Sequence, residues 1–225
     1  MNEINVVASL DASIKSGVES VIEEFHTYER TFAYEEDVRS TLYGVIREDL
    51  LKTNLYYSDI TVNRQGCNHS LVNIRAEYPC KVSKAMTEKI DIAILNPASY
   101  CTITDPYGYD PCNYNGENLI PPKIHTLIEI KLFNPFYKKK FNVLEKDMQK
   151  IKTVRRVSIE TNRYSDFNMI ALGFFQDTQE NLMQIMDTLK KVHKPKTIEK
   201  DGFEIGNFIY FITTNEILQF NIDNL

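Results

Sequence analysis

The chain has 225 residues, a formal net charge of −5 and a hydrophobic fraction of 43%. This length suffices for one α/β domain with a full core, and the acidic balance is not that of a protein that coats nucleic acid. No apolar run approaches the length of a membrane span, and the first residues lack the basic start and apolar block of a secretory signal. We therefore expect a cytoplasmic protein that does not associate with membranes.

The cysteines predict neither a metal cluster nor disulfides. Cys67 and His69 are closely spaced, but no second close pair completes a zinc site. Disulfides are typical of exported proteins. We therefore expect all four cysteines to be reduced thiols.

The first half of the chain predicts two helices followed by two strands. Helices are predicted at 9–29 and at 34–52, where apolar residues recur at helical spacing. The alternating segment 70–79 predicts a strand, and KIDIAIL at 89–95 predicts the next one. The segments 53–69 and 96–122 are predicted to be long loops, and loops of such length are often functional.

The second half alternates strands with helices. Strands are predicted at 125–132, 167–175 and 206–214, and helices at 142–157 and 177–192. This order predicts a single α/β domain over 1–225, with helices on both faces of a mixed central sheet.

Ionisable residues stand inside two of the predicted strands. Because side chains on a strand alternate between faces, Glu129 and Lys131 should share one face. Asp91 follows the same alternation, with Ile90 and Ile92 pointing the other way. Burying a charge is costly unless it is paired or bound to a metal. The alternative is a solvent-facing edge strand on which Lys131 forms an ion pair with one of the two acids.

The start of the second helix carries another acid that is expected to face inward. Glu35 continues the apolar stripe of Val38 and Leu42, whereas Glu36 is expected on the other side with Arg39. An acid in the first turn of a helix also interacts favourably with the helix dipole. Glu35 is therefore either a site residue or a helix-terminal residue, and the sequence leaves both open.

A basic stretch follows the third strand. Eight Lys and Arg residues lie between positions 138 and 156, against Glu145 and Asp147. Such a run is either a solvated helix face or a local phosphate-binding stripe in an otherwise acidic protein.

Four of these segments together resemble a known family. The helix with YEEDVR, the strands KIDIAIL and LIEIKL, and the helix with EKDMQKI resemble the PD-(D/E)xK nuclease superfamily, which includes restriction endonucleases, Holliday-junction resolvases and RecB-type nucleases. The resemblance covers about residues 34–175. It implies a restriction-endonuclease-like core of a helix, three strands, a helix and a strand.

Two features depart from the family pattern. Ile90 stands where the family name has proline, and the 96–122 segment fills a wide gap between Asp91 and Glu129. That segment is either an insertion for substrate binding or homodimer formation, or a sign that the acid is wrongly paired. Asp105 and Asp110 are poorer choices, because each precedes a proline in turn-rich sequence.

The resemblance implies a magnesium-dependent nuclease in which Mn²⁺ can replace Mg²⁺. Asp91, Glu129 and the backbone carbonyl of Ile130 would bind the ion, which prefers oxygen ligands and keeps several waters. Lys131 would orient the attacking water and stabilise the charge that develops on the phosphate. The expected substrate is DNA, cut in restriction, recombination or repair, with RNA as the alternative.

Three further residues have a weaker link to this chemistry. Glu35 would contact the metal through its outer shell or bind a second ion, and Lys150 would touch a phosphate unless it is a surface lysine. Glu77 is expected to form an ion pair between strands, with a contact to the metal site as the alternative.

Two alternatives to an active nuclease remain at this point. A catalytically inactive nuclease-fold protein that binds nucleic acid or a partner would fit the acidic net charge, although the intact set of Asp91, Glu129 and Lys131 argues against decay. An unrelated α/β binding domain could also carry the short motif by chance.

Overall fold

The computed structural model gives the bounds of two α-helices and nine strands within the part of the chain that it describes. The described ranges are 3–28, 32–64, 67–81, 87–96, 124–133, 167–176 and 194–222, with the single or short stretches 146, 149–150, 152–154, 156, 187 and 190–191. Those short stretches are helical, and they fall within the helices predicted at 142–157 and 177–192. The predicted loop at 96–122 lies outside the described residues, apart from Asn96.

Two helices precede the sheet. Helix α1 spans Glu3–Thr27, beginning six residues before its predicted start, and α2 spans Glu35–Lys52, close to its prediction. The start of α2 is fixed by Asp37, whose carboxylate accepts hydrogen bonds from the backbone N–H groups of Ala33 at 2.9 Å and Tyr34 at 2.8 Å. In the part of the chain that the structure describes, neither helix is long and apolar enough to cross a membrane.

Among the described residues, nine strands follow α1 and α2. They are β1 (Tyr57–Arg64), β2 (Cys67–Val72), β3 (Ile74–Lys81), β4 (Thr87–Leu95), β5 (Ile124–Phe133), β6 (Asn168–Phe175), β7 (Lys196–Ile198), β8 (Asn207–Ile212) and β9 (Ile217–Asn221).

The region before β3 differs from the sequence prediction. The predicted loop at 53–69 is wrong, because β1 and β2 pair as an antiparallel two-stranded sheet. The single strand predicted at 70–79 is divided at Asn73 into the end of β2 and most of β3. The Asn73 side chain donates to the Leu55 carbonyl at 2.6 Å, and its backbone N–H donates to Tyr56 at 3.0 Å. These bonds tie Asn73 to the chain that follows α2.

The larger sheet is mixed, as the sequence predicts. Its strand order is β3-β4-β5-β6-β8-β9-β7. The pairs β5–β6 and β6–β8 are parallel, and the other neighbours are antiparallel. Strands β7 and β9 were not predicted. The α/β class is confirmed.

Apolar residues pack on both faces of this sheet. One cluster joins the buried stripes of α1 and α2 to Ile92, Ile128 and Ile130. The second contains Ala93 and Leu127 from the same strands. Each cluster keeps its face of the sheet away from water, which is the main stabilising term of such a layered fold.

The alternation of β4 is interrupted beside Asp91. Ile90 packs in the second cluster with Tyr78, whereas Ile92 packs in the first, so the prediction that the two isoleucines share a face is wrong. Glu77, the residue between the paired positions on β3, has a φ of 48°. This left-handed conformation is uncommon for a non-glycine residue, and it occurs on β3 beside the point at which the alternation of β4 is interrupted.

The two helical glycines of this region predict opposite effects on stability. A Cβ on Gly17 would meet Ile46 Cγ1 at 2.5 Å, whereas a Cβ on Gly44 would meet nothing within 4 Å. We expect Gly17→Ala to destabilise the protein by about 1–3 kcal/mol through overpacking. Gly44→Ala should stabilise it by about 0.5–1 kcal/mol, because alanine favours a helix more than glycine does. Denaturant unfolding measures both, and a neutral Gly17→Ala would contradict the close contact between α1 and α2.

Candidate active site

The site is built where β4 and β5 run side by side. Their register pairs Ile92 with Ile128 and Ala93 with Leu127, and Asp91 and Glu129 are the residues next to the first of these pairs along each strand. The Glu129 carboxylate lies 3.4 Å from the Asp91 backbone nitrogen. The two acids that the sequence singled out are therefore neighbours across a strand pair.

Asp91 is held from two directions. One oxygen, Oδ2, accepts a hydrogen bond from the Ile130 backbone N–H at 2.7 Å, and Oδ1 lies 3.3 Å from Nη1 of Arg39. The side chain is only 12% exposed. A carboxylate that accepts a backbone N–H and faces a guanidinium has a defined orientation.

Glu129 is the more buried of the two acids and is paired with Lys150. The residue is 6% exposed, and its Oε1 lies 2.5 Å from the Lys150 ammonium. Lys150 thus faces inward in this structure, and not into solvent as a surface lysine would. Cys80 is also close enough to be affected: burial raises the pKa of its thiol to about 12, with Lys150 acting to lower it and Glu129 to raise it.

Lys131 and Glu35 form a third ion pair. The Lys131 ammonium lies 2.9 Å from Glu35 Oε2, which joins β5 to the first turn of α2. The carboxylate of Glu36 is 73% exposed, whereas that of Glu35 is 37% exposed. The helix phase that the apolar stripe predicts for these two acids agrees with this arrangement.

Arg39 is the residue of this region that the sequence analysis missed. It was expected with Glu36 on the other side of α2 from the apolar stripe, and it does contact Glu36. Its guanidinium also reaches Glu77 and Asp91, which the sequence did not predict. The signal that could have found it is its spacing, because Arg39 follows Glu35 by four residues and such positions lie on one helix face.

Glu77 links this cluster to the edge of the sheet. Its carboxylate lies 2.6 Å from the Lys89 ammonium on β4 and 3.2 Å from Arg39 Nη1. The ion pair between strands that the sequence suggested is therefore present. The φ of Glu77 is positive. Such strained backbone conformations persist where surrounding contacts hold the residue in place, as the ion pairs of Glu77 do.

Burial sets the electrostatics of Asp91. It raises the pKa of this carboxyl above its ordinary value, and the negative charge of Glu35 acts in the same direction. The Ile130 N–H, Arg39 and Lys150 act to lower the pKa without cancelling the rise. Burial acts to lower the pKa of Arg39, but the nearby acids outweigh it and raise that pKa.

The oxygen donors at this position are chemically suited to a hard divalent cation. Asp91 and Glu129 supply two carboxylates on paired strands, and the Ile130 carbonyl belongs to the residue whose N–H binds Asp91. Magnesium needs few protein ligands because it keeps several waters. Within the described ranges, no group of three or more His, Cys, Asp or Glu residues is arranged to hold a metal, so water and the carbonyl would have to complete the set.

A histidine on β5 contacts an acid on α1. His125 Nε2 lies 2.8 Å from Asp11 Oδ1, which ties β5 to α1 away from the charged cluster. The side chains of Cys67 and His69, and the whole of Cys101 and Cys112, lie outside the described residues.

The comparisons with known proteins give no relative. No family model, no curated protein and no solved structure matches this chain.

The raised pKa of Asp91 predicts a stability penalty at neutral pH. In chelator at about pH 8, Asp91→Asn should be at least as stable as the wild type, because the buried charge is removed and the amide oxygen can still accept the Ile130 N–H. As the pH falls through the raised pKa, the wild-type carboxyl takes up a proton and the difference should shrink. Thermal unfolding at about pH 8 and pH 4 tests this, and a gap in favour of the variant that widens toward acid would contradict it.

Proposed function

We propose that this chain is a divalent-metal-dependent nuclease that hydrolyses phosphodiester bonds, with DNA as its expected substrate. The observation that carries the proposal is the meeting of Asp91 and Glu129 on paired strands, with Lys131 two residues along the second strand. The resemblance of these segments to the PD-(D/E)xK nucleases supports the same assignment, as does their position in a mixed α/β sheet. The restriction-endonuclease-like core is part of this proposal.

A bound Mg²⁺ would neutralise charge on the phosphate and lower the pKa of a bound water. Asp91, Glu129 and the Ile130 carbonyl would hold that ion, and Mn²⁺ would serve in its place. The hydrogen bond from Ile130 N–H to Asp91 fixes one carboxylate oxygen and leaves Oδ1 as the atom that can exchange partners. Asp91 would therefore keep its orientation through Oδ2 while Oδ1 binds the metal ion.

Lys131 would stabilise the negative charge that develops as the phosphodiester is attacked. An ammonium is a compact cation with no acceptor, so it contributes charge and hydrogen bonds without binding metal. Its contact with Glu35 holds the flexible side chain in position. Glu35 is therefore a positioning residue in this proposal, a role more specific than a helix-terminal acid.

Lys150 would contact a substrate phosphate once Glu129 engages the ion. Its present contact with Glu129 keeps its ammonium beside the site. The basic residues around it in sequence, such as Lys146 and Arg156, are exposed and would add non-specific attraction to a polyanion. The charge for substrate binding is thus local, in a protein whose net charge is negative.

A second candidate is favoured by the ion pairs themselves. Asp91, Glu129 and Glu35 each have a protein cation as partner, which is also the pattern of a charge network that is complete without a metal. A nuclease-fold protein of that kind would bind nucleic acid or a partner without cutting. Incubation with plasmid DNA and Mg²⁺, beside a chelated control, separates the two, because only the first candidate nicks or linearises the plasmid.

The lysine of the site predicts a loss of turnover. We expect Lys131→Ala to lower the cleavage rate by about a hundred- to a thousand-fold, because a group that acts on developing charge is lost. DNA binding should largely persist, since affinity is spread over many phosphate contacts. The matched control is Lys52→Ala, which removes an ion-paired lysine at the far end of α2. A folded Lys131→Ala protein that cuts at the wild-type rate would remove this residue from the mechanism.

The role of Glu35 has its own test. Glu35→Gln should lower the cleavage rate by releasing Lys131, with little change in the Mg²⁺ concentration that gives half-maximal rate. Glu48→Gln is the control on the same helix, where it breaks an ion pair with Lys52. A large shift in the Mg²⁺ requirement for Glu35→Gln would instead make Glu35 a direct ligand.

A further inference from the structure

The single positive charge of Arg39 contacts three carboxylates. Its Nη1 lies 3.2 Å from Glu77 Oε1 and 3.3 Å from Asp91 Oδ1, and Nη2 contacts Glu36. The side chain is 16% exposed, so these contacts are partly shielded from water. One cation is held by three carboxylates, and loss of one of them leaves two in place.

The three carboxylates are not equivalent. Asp91 is largely buried and belongs to the proposed metal set, whereas the Glu77 and Glu36 carboxylates are 46% and 73% exposed and lie outside it. A cation that engages Asp91 Oδ1 competes directly with Arg39 for that oxygen. The exposed Glu77 and Glu36 would keep the Arg39 side chain beside the site while its contact with the buried Asp91 is lost.

We propose that Arg39 is a further substrate-binding residue, which Asp91 holds in the metal-free protein and which a divalent cation releases toward a phosphate of the nucleic acid. This inference rests on the proposed function for its ligand. Arginine suits the role because its planar set of donors matches two phosphate oxygens at once. Arg39 extends from the first turns of α2, so the released group stays next to Asp91.

Release by the metal couples two binding equilibria. A cation that frees Arg39 must raise phosphate affinity, and by linkage phosphate must raise the affinity for the cation. The coupling has a specific signature, because each phosphate contact adds about 0.9 to the slope of log affinity against log salt for duplex DNA. Arg39 should contribute to that slope only when the divalent cation is present.

The test measures binding of a labelled DNA duplex as a function of salt, with Mg²⁺ and with chelator. It uses Lys131→Ala protein, so that the substrate remains intact, with and without Arg39→Gln. We expect Arg39→Gln to reduce the salt slope by about one in Mg²⁺ and to leave it unchanged in chelator. Equal slopes in Mg²⁺, or an equal reduction in both conditions, would overturn the proposal.

A second set of variants tests the release of Arg39 without a divalent cation. Asp91→Asn deletes one of the two carboxylate charges at Nη1, the same one that the divalent cation would take up, so Arg39 should contribute to binding in chelator as well. Adding Arg39→Gln to Asp91→Asn should then reduce the slope by about one without any divalent cation. Should Arg39→Gln fail to fold, Arg39→Lys replaces it: the slope should be kept, because one charge remains, while affinity falls.

The matched control frees a lysine elsewhere in the fold. Lys190 lies 2.7 and 2.9 Å from the two oxygens of Glu216, away from β4 and β5. Glu216→Gln should leave the slope unchanged in both conditions, and a change as large as that of Asp91→Asn would mean that any freed cation binds DNA.

A wild type that never cuts, yet shows the Mg²⁺-dependent slope, would refute the nuclease and keep the inference. A wild type that cuts DNA but shows no Mg²⁺-dependent contribution of Arg39 to the slope would support the nuclease and refute the inference about Arg39.

Discussion

Two acidic residues, Asp91 and Glu129, lie beside each other on adjacent strands, and the surrounding charges follow from that constraint. Like charges at directly opposed positions destabilise a sheet, and burial raises the cost further. The pair of Asp91 and Glu129 is tolerated because each acid has a cation and a backbone contact within reach. These are Arg39 and the Ile130 N–H for Asp91, and Lys150 and the Asp91 N–H for Glu129. The raised pKa of Asp91 shows that the compensation is incomplete.

Asp91 and Glu129 would exchange their protein cations for a metal ion more easily if those cations only partly offset the cost of burying the two charges. A carboxylate that is oriented by a backbone N–H but only partly neutralised attracts a further cation at small cost. The flanking helices then have defined roles: α2 brings Glu35 and Arg39 to the strands, and the helical residue Lys150 approaches from the region between β5 and β6 in the chain. The apolar clusters on both faces hold these elements in place, so that the charges need not stabilise the fold themselves.

The sequence predicted the strands that carry Asp91, Glu129 and Lys131, because an ionisable residue between branched apolar ones is a clear period-two signal. It also predicted the phase of Glu35. It placed Arg39 with Glu36 but missed the contacts of Arg39 with Glu77 and Asp91, since a long side chain can reach a neighbour that its helical position alone does not indicate. It also missed the division at Asn73 and the short strands β7 and β9. The division depends on tertiary hydrogen bonds, and the two strands depend on pairing of β9 with β8 and of β7 with β9, which no local pattern encodes.

The central claim is that Asp91 and Glu129 together hold one divalent cation, and calorimetric titration with Mn²⁺ tests it most directly. The wild type is expected to bind one ion, and Asp91→Asn and Glu129→Gln should each weaken that binding by about tenfold or more, which corresponds to roughly 1.4 kcal/mol. The control is Glu204→Gln. Glu204 forms an ion pair with Lys196 on β7, at the edge of the sheet farthest from β3 and β4, so this variant should bind Mn²⁺ as the wild type does. Wild-type affinity in both Asp91→Asn and Glu129→Gln would contradict the account.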